Sequence, residues 1–230
     1  MIKIQKVYNI LYSKFGDLEW WPIDKKYHIK NSTDPRFEII IGAILTQNTA
    51  WSNVEKALIN LKENGKLDIK SIIEIPDLEL KKLIKPSGFF NQKSKRLKKI
   101  SKFLFEKYKS DMDLFFKKDT KKIREDLLEI NGIGPETADS ILLYAGNKPV
   151  FVVDSYTKRI CKRLPIKTEI TYDSIQKHFE NNFSNVFDKK DLTKIYNQMH
   201  AMIVELAKNY CKKNPDCKNC PLKKYCKYEK

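Results

Sequence analysis

Apolar residues return at the 3.6-residue spacing of amphipathic helices along almost the whole chain. The spacing predicts helices near 3–15, 35–46, 51–63, 70–75, 78–84, 93–107, 111–116, 120–130, 136–145, 154–162, 172–182 and 190–210. Ser52, Asp111 and Thr171 each stand just before an apolar-periodic stretch and can cap its first turn. Pro86 and Gly88 stop the helix that precedes Phe89 and Phe90. One run departs from the pattern: PVFVVD at 149–154 is β-branched and apolar, yet it has no companion of similar quality to pair with. It reads as a buried extended connector. Seven glycines, no Gly-Ser linker and no internal repeat argue against a solenoid. The pattern predicts a compact all-α body whose helices pack pairwise.

The 230 residues, 41% of them hydrophobic, suffice for a core without disulfide support. No apolar run is long enough to span a bilayer, and the lysine-dotted start MIKIQKVYNILYSKF lacks a signal-peptide cleavage pattern, so a cytoplasmic location is expected. A formal charge of +16 and a pI near 9.5 predict attraction to a polyanion, nucleic acid first. Part of that charge has a competing origin in a composition rich in Lys, Ile and Asn, as an AT-biased genome dictates. A membrane surface fits less well, because no segment combines lysines with a large exposed aromatic face.

The stretch LLEINGIGPETADSILLYAGNKPVFVVD at 127–154 carries the most chemistry. Gly132, Ile133 and Gly134 separate two helical patterns, with Leu127, Leu128 and Ile130 on one side and Ala138, Ile141 and Leu142 on the other. Two glycines around one apolar residue allow a tight turn with Ile133 buried. The second helix then opens with unpaired N–H groups, a seat for a phosphate that positions DNA without reading its sequence. An ordinary helix–turn–helix corner has the same local pattern. Asp154 ends the apolar run where SYTKRICKRL begins. Its carboxylate can cap that helix, or be held partly desolvated at the mouth of a cleft. Lys93, Lys95, Arg96, Lys98 and Lys99 form a basic run after FFNQ. Most such runs are solvated faces; in a DNA-binding protein some lie near phosphates, with Lys93 and Lys95 the candidates.

Four of the five cysteines, Cys211, Cys217, Cys220 and Cys226, fall in CKKNPDCKNCPLKKYC with the spacing C-x5-C-x2-C-x5-C. Four thiolates on so short a loop can surround one metal centre. A cytosolic chain disfavours disulfides, whereas zinc suits four thiolates. Cys161, in an amphipathic helix, reads as a buried thiol rather than a ligand.

The hairpin LEINGIGPETAD, the following VVDSYTKR, the early segment FEIIIGAILTQNTAW and the terminal cysteines together resemble the helix-hairpin-helix DNA glycosylases of the endonuclease III superfamily. The phrases GAILTQNTAW, KPSGFFNQKSKRL and Trp-Trp-Pro at 20–22 place the resemblance nearest the 3-methyladenine DNA glycosylase III branch. The resemblance implies a two-lobed helical glycosylase fold. A central bundle near 35–148 would carry the hairpin (about 127–145), and a second lobe would combine 1–34 with 149–230, with the active cleft between them.

It also implies roles for individual residues. Asp154 is the carboxylate required to cleave the N-glycosidic bond, by stabilising oxocarbenium charge or orienting water. Glu136 stands where bifunctional members carry the Schiff-base lysine, and a carboxylate cannot form that imine, so a monofunctional glycosylase that leaves an abasic site is expected. That branch stacks an alkylated purine between two aromatic rings, for which Trp51 and one of Trp20 or Trp21 are the candidates, with Glu136 as a possible border of the pocket. Packing in the core is the competing role for Trp51. Gln47 and Asn48 match the polar side chains inserted where the nucleotide has flipped out, and Gly132 and Gly134 match the DNA-binding hairpin. Members with this cysteine arrangement bind a [4Fe-4S] cluster, although their first gap holds six residues and this one five; zinc is the alternative. The expected partner is double-stranded DNA containing a damaged base, bound by a monomer without a membrane. The leading expectation is excision of 3-methyladenine and similar alkylated purines. The alternatives are removal of mismatched thymine or uracil or of oxidised pyrimidines, with or without lyase activity, and a non-catalytic DNA-binding or redox-sensing role.

Overall fold

The computed structural model describes residues 2–228. Thirteen α-helices account for most of them, in the order α1 (Ile4–Phe15), α2 (Lys25–Asn31), α3 (Pro35–Leu45), α4 (Trp51–Glu63), α5 (Ile69–Glu74), α6 (Asp77–Leu83) and α7 (Phe90–Tyr108). Then follow α8 (Met112–Phe116), α9 (Thr120–Leu128), α10 (Pro135–Ser140), α11 (Ser155–Arg163), α12 (Tyr172–Ser184) and α13 (Leu192–Asn209). No strand occurs among the described residues, and none of the helices is long and apolar enough to cross a membrane. The chain divides into two compact units, Trp21–Gly146 and a second that joins Met1–Trp20 to Asn147–Lys230.

The Trp21–Gly146 unit is built around α3, in which every residue from Phe37 to Leu45 is buried. A helix apolar on all sides must be surrounded, and α4, α7 and α10 pack on it. Its start is set by Asp34, whose carboxylate accepts from the Arg36 amide, with Pro35 in the first turn. Asp111 caps α8 and Thr171 caps α12 as the sequence predicts. Ser52 does not cap α4: that helix starts one residue earlier, at Trp51, behind Ala50, with no side-chain cap.

Helix α2 has no counterpart among the sequence-predicted helices, because KKYHIKN shows no apolar stripe and buries only His28. A polar anchor holds it. Glu38 of α3, 1% exposed, sits 2.6 Å from His28 Nε2 and 2.6 Å from Lys62 Nζ, and its Oε2 accepts from the Asp24 amide. A buried carboxylate demands such partners, and they tie residues 21–34 to this unit rather than to the terminal segments with which the sequence expectation grouped them. The helix expected over 136–145 is also interrupted. It is α-helical to Ser140 and then widens to a π turn over Ile141–Ala145.

In the other unit, α13 is buried along most of its length. The connector at 149–154 is extended, and Phe151, Val152 and Val153 are buried. It needs no partner strand, because α12 supplies the hydrogen bonds. The Phe151 amide donates to Glu180 Oε1 at 2.9 Å and its carbonyl accepts from Gln176 Nε2 at 2.8 Å. The Phe151 ring stacks on Phe179 with centroids 4.4 Å apart.

Candidate active site and nucleic-acid interface

Asp154 ends the buried connector and is the N-cap of α11. Its Oδ1 accepts from the Thr157 amide at 2.6 Å and from the Thr157 hydroxyl at 2.8 Å. Its Oδ2 faces His200 Nε2 of α13 at 3.6 Å. Burial pulls the carboxyl upward, but the His200 imidazole and the two Thr157 donors outweigh it and hold the group below the usual aspartate value. The cap and the largely buried anion are therefore one arrangement: Oδ1 is spent on the helix, and Oδ2 remains with the imidazole. His200 was not singled out from the sequence. The available signal was a histidine inside the apolar stripe of the helix predicted over 190–210.

The hairpin joins α9 to α10. Leu127, Ile130, Ile133, Ala138, Ile141 and Leu142 are all buried, and Arg124 grips the buried Asp139 through both carboxylate oxygens, at 2.6 and 3.1 Å. The two glycines are not equivalent. Gly132 has φ 96°, and a Cβ there would run into the side chain of Arg96. Gly134 caps α10 in ordinary extended backbone with open space around it. Gln47 donates to the Gly132 carbonyl at 3.0 Å and to Thr137 Oγ1 at 2.9 Å, and its own Oε1 accepts from Arg96. In this conformation its amide is committed to the hairpin. Asn48 is exposed, with positive φ, and Glu136 lies exposed in the first turn of α10.

The basic run on α7 separates by face. Lys93, expected to meet DNA, is fully buried, and this expectation is corrected: its Nζ lies 2.7 Å from Leu45 O, Thr49 Oγ1 and Ser87 O, an internal tie under the 46–50 loop. Burial and the Arg96 charge push its pKa down to about 8. Lys98 bonds the Ile75 carbonyl at 2.6 Å and pairs with Asp77. Lys95 is exposed. The inward positions repeat the helical apolar spacing, so a lysine falling on that face is buried whatever its charge.

The adjacent tryptophans part company. Trp21 belongs to the 21–146 unit, with its centroid 5.2 Å from Trp51 and 5.3 Å from Tyr144. Gly42 of α3 makes room for it, since a Cβ there would fall 2.9 Å from Trp21 Cζ2. Trp21 and Trp51 meet at 89°, a corner rather than the parallel pair of rings that a sandwiched base requires. Tyr144, the third ring, was missing from the sequence-derived set. Trp20 belongs to the other unit, where its carbonyl accepts from Asn197 Nδ2 at 2.7 Å and Lys208 lies over its ring.

Cys211, Cys217, Cys220 and Cys226 line one cavity of about 230 Å³ with Arg163, Tyr210 and Pro215. Arg163 Nη1 donates to Cys211 Sγ at 3.1 Å, and Arg159 Nε to the Cys211 carbonyl at 2.8 Å. Among the described residues no three His, Cys, Asp or Glu side chains close on one point as a lone metal ion requires. Four thiols around one cavity are a donor set that could hold either a zinc ion or an iron–sulfur cluster. Cys161 is buried and its thiol is pushed up to about 12 by burial and by Asp154.

Residues 41–185 match the family described as the HhH-GPD superfamily base excision DNA repair proteins. A Methanocaldococcus jannaschii protein, provisionally named a DNA repair glycosylase, is 45% identical over 97% of this chain and 95% of its own length. Endonuclease III of Thermotoga maritima is 31% identical over 85% of this chain and 84% of its own. Among solved structures, the H. pylori 3-methyladenine DNA glycosylase bound to 1,N6-ethenoadenine superposes with a TM-score of 0.75 at 33% identity, covering 90% of this chain and 98% of that one.

Proposed function

Because this chain belongs to the HhH-GPD superfamily of base excision DNA repair proteins and is a DNA glycosylase of the endonuclease III type, we propose that it excises alkylated purines, 3-methyladenine among them, from duplex DNA and leaves the strand uncut. The observation that carries the reading is Asp154, a largely buried carboxylate kept ionised by His200 and Thr157. Loss of an alkylated purine leaves positive charge on the sugar, and a fixed anion stabilises it without reorganising. The base is already cationic, so its bond is weak and little acid catalysis is needed. Trp21, Trp51 and Tyr144 supply ring faces for such a cation, at roughly 0.5–2 kcal/mol per contact. The likeness to the H. pylori enzyme supports the choice of base. Glu136 supports the absence of strand cleavage, since a carboxylate forms no imine with the opened sugar.

The likeness to endonuclease III favours a second reading, oxidised-pyrimidine removal with lyase chemistry, in which another lysine would replace the one absent at Glu136. We further infer that Cys211, Cys217, Cys220 and Cys226 hold a [4Fe-4S] cluster, which braces the loop when bound. A panel of duplexes bearing 3-methyladenine, ethenoadenine, uracil, thymine mismatches or oxidised pyrimidines, read with and without alkali, tests both readings. Release of alkylated purines, with strand breaks only after alkali, is expected. Asp154→Asn should lower release by about 10²–10³-fold while duplex binding persists; undiminished release would remove Asp154 from the chemistry.

A further inference from the structure

Helix α7 carries a second cluster of polar side chains on its outer face. Gln92, Lys95, Arg96 and Lys99 recur at the spacing that places side chains on one side of a helix, and with Asn131 of the hairpin turn they line a pocket of about 240 Å³. None of these lining residues is acidic. That distinguishes the pocket from other lysine sites on this chain, where Lys98 meets Asp77, Lys122 meets Asp126, Lys190 meets Asp188 and Lys208 meets Glu205. The pocket is also partly built before any ligand arrives. Arg96 donates to Gln47 Oε1, and its aliphatic arm fills the space that a side chain at Gly132 would take. Lys99 Nζ lies 3.4 Å from Asn131 Oδ1. Three cations and two amide side chains converge beside the first glycine of the hairpin.

We propose that this pocket holds one phosphodiester group of the DNA strand, a phosphate site made of side chains next to the hairpin turn. The proposal rests on the glycosylase reading for its ligand. Three guanidinium or ammonium groups facing a cavity without a carboxylate attract a tetrahedral oxyanion, and Arg96 can offer paired N–H donors to it. The side-chain amides of Gln92 and Asn131 add neutral donors that read the oxygens and ignore the base. A side-chain pocket of this kind complements a hairpin whose second helix opens with Glu136, an acidic residue in its first turn. Free inorganic phosphate shares the chemistry, and the test separates the two sources.

Binding of an undamaged duplex is measured against salt for the wild type, for Lys95→Gln/Lys99→Gln, and for a control, Lys189→Gln/Lys190→Gln, that removes the same charge from two exposed lysines elsewhere. One lost phosphate contact lowers the log–log salt slope by about one. The expected result is that drop in the pocket variant and a much smaller change in the control. Side-chain NMR resonances of Asn131 and Arg96 should shift with micromolar duplex and need millimolar inorganic phosphate. Equal slope changes in both variants, or no change in either, overturn the pocket while leaving the glycosylase reading intact. Resonances that answer to inorganic phosphate and ignore the duplex overturn it as well. A wild-type chain that binds no duplex overturns the glycosylase reading itself, and the pocket with it.

Discussion

Asp154 stays ionised although burial opposes it, and the residue responsible on the Oδ2 side is His200. A carboxylate whose folded pKa lies below its unfolded one stabilises the fold above the unfolded value and loses that contribution as the pH falls through the folded value. Asp154 therefore contributes throughout the neutral range, and base release should show no acid limb from it until the pH drops below about 4, the ordinary aspartate value. His200→Ala removes the imidazole, raises the Asp154 pKa and moves that limb upward. An acid limb that stays in place, measured as kcat against pH under single-turnover conditions, would show that His200 does not hold the carboxylate. Gly42 is a second residue whose role only the structure shows. Gly42→Ala brings a Cβ against Trp21 Cζ2, so it should displace that ring and weaken binding of an alkylated-base duplex several-fold more than of an undamaged one, as read by fluorescence titration. Asp154 was legible as a candidate because a helix start follows an apolar run. His200 was not, because its partner caps the start of a different helix, 46 residues earlier in the chain.

Lys93 joins three segments: the end of α3 through Leu45, the 46–50 loop through Thr49, and the turn before α7 through Ser87. Replacing it with Met takes a donor from each of those oxygens, leaving the Ser87 carbonyl only the Thr49 hydroxyl, and should cost about 1–3 kcal/mol in denaturant unfolding at pH 7. Its pH signature has the same sign as that of Asp154 but falls in the alkaline range. With a folded pKa of about 8, below the 10.5 of a free lysine, the unfolded chain binds the proton more tightly. Wild-type stability should therefore rise with pH from about 8 to 10.5, and this rise should be absent in Lys93→Met. In the hairpin, Gly132→Ala forces a side chain to φ 96° and into Arg96, a destabilisation of about 1–3 kcal/mol. Gly134→Ala, with open space around it, should cost far less, and thermal melting of the two variants separates them. Most helices were readable because apolar spacing and caps are local. Helix α2 was not, because it is held by Glu38 from α3 rather than by an apolar stripe of its own.

Across the whole molecule, the net charge of +16 sets a salt-dependent affinity for duplex DNA, and the cluster proposed for the four terminal cysteines would belong to the unit that contains Asp154. Purified protein should be brown, with about four irons and four sulfides per chain. Cys220→Ser should lose both and lower the melting midpoint of that unit. One zinc per colourless chain would reassign the centre. The family, the order of helices apart from α2, the hairpin, the cysteine quartet and the aspartate at a helix start were determined by the sequence, because each follows from residue types at fixed short spacings. Which lysine of the α7 run turns inward, which tryptophan joins which unit, the tie between Gln47 and a hairpin 85 residues away, and the imidazole beside Asp154 were decided only by tertiary structure. They depend on which distant side chains are brought within about 3–4 Å of one another, and the burial that sets their charge and direction exists only after the helices have packed.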